Sequence, residues 1–185
     1  MSETVSAASE AVYEGYVTVT RGSETGMISV RGDLSDPKFK KAIKASTGLN
    51  VPDRGMILHN KKASLAWMSP DELLVFTNYD QARAQAETLD KALAGTHHLV
   101  ANVSDAREMF TLQGDKVREV LAKLSPADVT GAAFAPGQMR RSRVAQVAAG
   151  FWLLDDETAK LVCFRSVSGY VFDLLKHAAR PGSEI

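Results

Sequence analysis

The chain carries a second copy of one of its own segments, and that narrows the folds open to it. Met27-Ile28-Ser29-Val30-Arg31-Gly32-Asp33 and Met109-Phe110-Thr111-Leu112-Gln113-Gly114-Asp115 align residue for residue at an offset of 82. The same offset sets Leu99 and Val100 on Val17 and Thr18. Further along, Trp152, Asp156 and Glu157 fall on Trp67, Asp71 and Glu72 at an offset of 85, and Phe164 and Ser168 fall on Phe76 and Asp80 at 88. The drift requires two short net insertions, which loops absorb most easily. A period this long is no solenoid repeat. It implies one α+β unit duplicated: a single domain over 13–180, with halves at about 15–95 and 97–180. The halves are expected to superpose about a pseudo-two-fold axis, with Trp67 and Trp152 in matching places. Residues 1–12 read as a flexible N-terminal segment and 181–185 as a tail.

Periodicity supplies the elements. Tyr13 to Thr20 alternates and reads as a strand, as does Met27 to Arg31. Asp36-Pro37 starts a helix with an apolar face of Phe39, Ala42 and Ile43, and Gly48 ends it. Met56 to His59 and Ser64 to Met68 are strands around the polar tip Asn60-Lys61-Lys62. Ser69 to Glu72 is a turn, and Leu73 to Thr77 a buried strand. Asp80 is expected to cap a helix that buries Ala82, Ala86, Leu89 and Leu93, and Gly95 to end it. The second half repeats the order. Leu99 to Val103 and Met109 to Gln113 are strands. Val117, Val120, Leu121 and Leu124 form one helix face, stopped by Ser125-Pro126. Pro126 to Gly137 is a loop. Arg141 to Ala148 and Phe151 to Leu154 read as strands around Gly150, and Lys160 to Arg165 as the last strand. Val171, Leu174, Leu175 and Ala178 make a final helix, with Ser168 a possible cap. Each half is then β-α-β-β-β-α after a leading strand, mainly antiparallel.

Lys plus Arg equals Asp plus Glu at 22 each, so net charge is zero. That argues against nucleic acid or a membrane surface as the main partner, since both select for positive charge. No run is long enough to span a membrane and residues 1–12 lack a signal peptide's pattern, so the chain reads as cytoplasmic. The single Cys163 lies in an apolar run and reads as a buried, inert thiol.

Catalytic chemistry is hard to find in the sequence. There is no Gly-rich phosphate loop. His97-His98 reads as a linker, because neighbours on a strand point apart, and His59 and His177 are isolated. Asp155-Asp156-Glu157 reads as a solvated hairpin tip. Arg31-Gly32-Asp33 spells an adhesion tripeptide, but its copy Gln113-Gly114-Asp115 shows that the turn explains it. Asn102-Val103-Ser104 is a glycosylation sequon only in an exported chain. Arg140-Arg141-Ser142-Arg143 is the dense basic patch, with Arg141 and Arg143 on one strand face, open to phosphate, folate glutamates, a partner or solvent. No catalytic, cofactor-binding or metal residue is assigned.

Ser104-Asp105-Ala106-Arg107 followed by Phe110-Thr111-Leu112-Gln113-Gly114-Asp115 resembles the strand–turn–helix that opens the folate-binding domain of the glycine-cleavage T-protein and aminomethyltransferase superfamily. Trp67-Met68-Ser69-Pro70-Asp71-Glu72-Leu73-Leu74 resembles a hairpin of the same superfamily. Size, motif order and the arginine strand are most similar to the gamma-subunit family of bacterial heterotetrameric sarcosine oxidases. The resemblance spans about residues 15–180. It implies a small noncatalytic, structural subunit with alpha, beta and delta subunits as partners. The whole enzyme would demethylate sarcosine to glycine, giving hydrogen peroxide and formaldehyde or methylenetetrahydrofolate. Its FAD, FMN, NAD and zinc would belong to other subunits, with tetrahydrofolate as co-substrate and none of them in this chain. The isolated chain is then expected to show no flavin absorbance and no sarcosine oxidation. The alternative is a stand-alone folate-binding or folate-dependent protein of the superfamily. In contrast to the superfamily's catalytic folate enzymes, no second, C-terminal domain is expected, and the Gly131-to-Gln138 loop lacks the cysteine that some relatives have. That loop also carries Phe134 where a solvated loop would carry charge. Phe134 therefore either docks a partner or folds back to close the core; docking predicts that Phe134→Asp weakens assembly and spares the melting temperature.

Overall fold

The computed structural model describes residues 11–22 and 25–185. In chain order the strands are β1 (Ala11–Glu14), β2 (Thr18–Arg21), β3 (Thr25–Gly32), β4 (Ile57–His59), β5 (Ser64–Ser69), β6 (Glu72–Asn78), β7 (His98–Asn102), β8 (Arg107–Gln113), β9 (Met139–Val144), β10 (Val147–Leu153) and β11 (Thr158–Phe164). The helices are α1 (Pro37–Thr47), α2 (Tyr79–Leu93), α3 (Val117–Leu124) and α4 (Ser168–Ala178). One sheet runs β4-β5-β6-β3-β7 and the other β9-β10-β11-β8-β2-β1, all antiparallel. The α+β class is as the sequence implies.

Alternation along each strand sends side chains to two faces. Ile28, Val30, Leu73 and Val75 meet α1 and α2 on one outer face. Phe110, Leu112, Phe151, Leu161 and Cys163 meet α3 and α4 on the other. Met27, Leu74, Phe76, Met109, Met139, Trp152 and Val162 pack sheet against sheet. The result is four layers, helix–sheet–sheet–helix. At one edge the sheets are stitched: Ile57 N–H donates to Gly137 O at 2.9 Å and Met139 N–H to Gly55 O at 2.7 Å.

The runs β4-β5-β6-β3 and β9-β10-β11-β8 correspond strand for strand, and the next place in each sheet is filled from the other half. β7 pairs with β3, from Ile28↔Asn102 to Gly32↔His98, and β2 pairs with β8, from Thr18↔Gln113 to Arg21↔Phe110. Each half thus lends its leading strand to the other. Periodicity gave no hint of this, since it reports which face is apolar and not which edge is filled.

Register corrects the matched residues. Phe76 sits opposite Met27 and Val162 opposite Met109, so Phe76 corresponds to Val162 and not to Phe164. By the same ladders Trp67 corresponds to Leu153, not to Trp152. The two indoles face different layers: Trp67 lies half-buried on the α1–α2 side, while Trp152 packs between the sheets with its ring 5.0 Å from that of Phe76. A one-residue slip flips a side chain to the other face, which chemical identity alone does not reveal.

Other boundaries also move. The strand expected over Tyr13 to Thr20 is a hairpin, β1 and β2, that turns at Gly15. A Cβ on Gly15 would stand 2.0 Å from Ala179 O, so the close approach of the C-terminal segment requires glycine there. Gly150 lies inside β10 rather than between strands, paired with Val162 and Arg141, and Met139 Cε, 2.6 Å from where its Cβ would stand, accounts for the glycine. The turn falls instead at Ala145, with φ 51°. Of the segment expected to be flexible, residues 1–10 lie outside the described residues, and Ala11 and Val12 belong to β1. The expected tail is docked: Lys123 Nζ donates to Ser183 O, and Ile185 N–H donates to Glu119 Oε1 at 2.8 Å.

α1 begins as the sequence implies, with Asp36 accepting from Lys38 N–H at 2.6 Å and Gly48 left-handed at its end. α2 does not. Its cap is Asn78, whose Oδ1 accepts from Asp80 N–H at 3.0 Å, and Asp80 sits in the first turn. Ser168 is likewise inside α4, its hydroxyl donating to Arg165 O at 2.8 Å. We expect Asn78→Ala to cost about 1 kcal/mol in urea unfolding, and Asp80→Ala less, because only the first leaves the Asp80 N–H without its acceptor.

Candidate functional site: an arginine cluster where the sheets meet

The basic patch lies on β9, an edge strand, and alternation divides it. Arg140 turns to the α3–α4 side, its guanidinium 5.2 Å over the Phe134 ring, donating to Ala133 O and, at 3.0 Å, to Gln138 Oε1. Arg141 and Arg143 lie on the opposite face of β9 and are exposed. Arg141 reaches across to the other sheet and donates to Met68 O.

Met68 leads into the β5–β6 hairpin, beside a group of residues that no sequence pattern brings together. Glu72 is 4% exposed. Its Oε1 accepts from the Ser29 hydroxyl at 2.9 Å and its Oε2 from Arg31 Nη2 at 2.9 Å. Asp71 stands 3.9 Å from Arg31 Nη1. The Ser69 hydroxyl donates to Asp71 Oδ1 at 2.5 Å and holds its pKa below the ordinary carboxylate value. Arg107 enters from β8. Burial pushes its pKa down, Glu72 opposes that, and Arg141 and Arg31 add to it. Its guanidinium lies 5.2 Å over the Phe164 ring. Three guanidiniums and two carboxylates from both sheets thus gather at one end of the inter-sheet layer. The available sequence signal was a charged residue at an inward position, Glu72 opposite Arg31 across β3 and β6. It cannot be read before the register is known.

Elsewhere most polar groups have structural partners, while Arg21 Nε, Glu108 Oε2, Trp152 Nε1 and Arg165 Nε are buried without a hydrogen-bond partner among the described residues. Glu108 is 2% exposed, between Arg21 Nε at 3.6 Å and Arg165 Nη1 at 3.7 Å. Lys160 donates to Thr111 Oγ1 at 2.7 Å, and burial lowers its pKa. His98 opens β7 rather than lying in the linker expected of it, and contacts Thr96 O at 2.9 Å and Asp90 Oδ1 at 3.1 Å. Asp155 to Glu157 form an exposed tip, where Asp156 accepts from Arg118 Nη2 at 3.0 Å. Asn102 Oδ1 accepts from the Ser104 hydroxyl at 2.6 Å, so the sequon's asparagine caps its own turn. Among the described residues no three His, Cys, Asp or Glu side chains could share a metal ion, and no helix is long and apolar enough to cross a membrane. Phe134 is fully buried, which corrects the docking expectation: it closes the core of the α3–α4 half.

Cys163 is buried beside Glu108, and burial first and that carboxylate second push its pKa up to about 11 from 9.0. Thiolate is scarce at neutral pH, so we expect an alkylating reagent to label the thiol in denaturant and not in the native chain. The linkage has a definite sign. From about pH 9 the unfolded thiol ionises while the folded one stays protonated, so this site's contribution to stability is lost between about pH 9 and 11. Cys163→Ala should remove that part of the alkaline loss of melting temperature.

Among individually curated proteins, none matches the chain. Among solved structures, the fold is similar to that of a chain in the heterotetrameric sarcosine oxidase from Corynebacterium sp. U-96 in complex with pyrrole 2-carboxylate. The identity is 22% over 88% of this chain and 83% of that one, with a TM-score of 0.81. It is also similar to the glycine cleavage system aminomethyltransferase T from Bartonella henselae, at 18% identity and a TM-score of 0.58 over 86% of this chain. There it spans under half of the relative, 45% of that chain. The family model described as "Sarcosine oxidase, gamma subunit family" matches residues 31–180, and by that match the chain belongs to this family.

Proposed function

We propose that the chain is the small, noncatalytic, structural subunit of a heterotetrameric sarcosine oxidase. The family match over residues 31–180 carries the reading, and the fold likeness to a chain of such an oxidase supports it. The alpha, beta and delta subunits are the partners. The assembled enzyme oxidises the N-methyl group of sarcosine, releasing glycine and passing electrons to oxygen as hydrogen peroxide. The one-carbon unit leaves as formaldehyde, or as 5,10-methylenetetrahydrofolate when tetrahydrofolate takes it up. FAD, FMN, NAD and zinc sit in the other subunits, and the complex works in the cytoplasm. We read 13–180 as one folding unit of two repeats; the strand exchange between them supports that, since neither repeat holds its complete sheet.

The test is coexpression of the tagged chain with the larger subunits. The expected result is a coloured flavoprotein that copurifies and produces peroxide from sarcosine, while the chain alone shows neither flavin absorbance nor turnover. Sarcosine oxidation by the isolated chain would overturn the proposal. If nothing copurifies and the isolated chain retains tetrahydrofolate in equilibrium dialysis, the stand-alone folate protein takes its place.

A further inference from the structure

The arginine cluster is unbalanced in a particular way. Both of its carboxylates are engaged by Arg31, Glu72 at 2.9 Å and Asp71 at 3.9 Å. Arg107 and Arg141 form no ion pair among the described residues. Arg107 Nε is buried and has no hydrogen-bond acceptor there. Arg141 has only the Met68 carbonyl, and Arg143 continues the exposed row along β9. The aromatic ring beneath Arg107 is open: Phe164 leaves 52% of its surface to solvent.

From this arrangement we infer that the Arg107–Arg141–Phe164 surface docks an acidic segment of a partner subunit, its carboxylates pairing with the two guanidiniums and an apolar side chain covering Phe164. The inference rests on the subunit reading above. Charge complementarity selects the occupant. Glu72 and Asp71 act on the two guanidiniums only beyond ion-pair distance, so both can take carboxylates from outside, and the planar fork suits bidentate pairing. Arg107 is already partly desolvated and stacked on a ring, so less ordering and less further desolvation attend docking than for a free surface arginine. Arginine beside an exposed aromatic is also the composition of interface anchor points. A small anion would satisfy one guanidinium and leave Phe164 open, whereas a polypeptide covers all three. Nucleic acid fits poorly because the whole chain carries no net charge.

The experiment uses the coexpressed complex. Four proteins are compared: wild type, R141E, R107K and the double variant R107A/R141A. Assembly is read by copurification and by the dissociation rate of the tagged chain, at about 50 and about 500 mM salt, spanning weak and strong screening. The inference expects R107A/R141A and R141E to dissociate at least about tenfold faster than wild type at low salt, with R107K in between and the wild-type salt dependence largely gone. It expects the free R141E chain to melt within a few degrees of wild type, because that side chain is exposed. Variants that assemble with wild-type dissociation rates and salt dependence would overturn the docking surface and leave the subunit reading standing. So would loss of assembly caused by unfolding of free R141E. If wild type recruits no subunit, the subunit reading fails, and the docking inference with it.

Discussion

Phe134→Ala should lower the stability of the free chain by about 3–5 kcal/mol, the usual cost of emptying a buried phenylalanine site. The ring is fully buried although it lies in a loop rich in Gly and Pro. It meets Phe151 edge-on, with centroids 5.7 Å apart and planes at 88°, and Arg140 covers it from 5.2 Å. The backbone is pinned as well: Arg118 Nη1 donates to Phe134 O at 2.5 Å and to Val129 O at 3.1 Å. Collapse into the vacated site is therefore restricted, which places the loss toward the upper part of the range. Urea unfolding with a fluorescence readout measures it. A loss under about 1 kcal/mol, typical of a surface substitution, would mean that the ring does not close the core.

Trp152→Ala should be comparably damaging, about 3–5 kcal/mol, for a different reason. Trp152 is 3% exposed and stands among Met139, Met109, Phe76 and Val162, where the sheets touch without any helix between them. Its removal opens a void shared by both sheets. Trp67→Ala, on the α1–α2 side, should cost less because the partly exposed indole has less buried apolar area to lose. The two variants measured side by side test the register. Equal losses would return the tryptophans to equivalent places.

Those two aromatics also mark how far the sequence could be read. Period-two and period-3.6 patterns located nearly every strand and helix, and the bounds of α3 fell where Val117 and Leu124 put them. The duplication was legible in Met27 to Asp33 and its copy. Chemical identity does not establish equivalence between the halves. Trp152 over Trp67 and Phe164 over Phe76 looked alike, yet hydrogen-bond ladders and not side-chain type decide which residues correspond. Sequence alone does not choose between two adjacent cap candidates such as Asn78 and Asp80, because either can bond to a free N–H. The arginine cluster was half visible. Arg141 stood in a conspicuous run, but Arg107, Glu72 and Ser29 come from three other strands and meet only through tertiary packing.

The traded strands β2 and β7 bear on how the chain is made. On the ribosome β2 emerges before its partner β8, which lies roughly ninety residues downstream, and pairing across such a separation slows folding. Until then β3 too has a bare edge, which β7 fills only after α2 has been synthesised. The nascent first half therefore spends its synthesis with open sheet edges, a state that invites pairing with other chains. Production of this protein should accordingly respond to growth temperature and to chaperone supply more than its finished fold suggests.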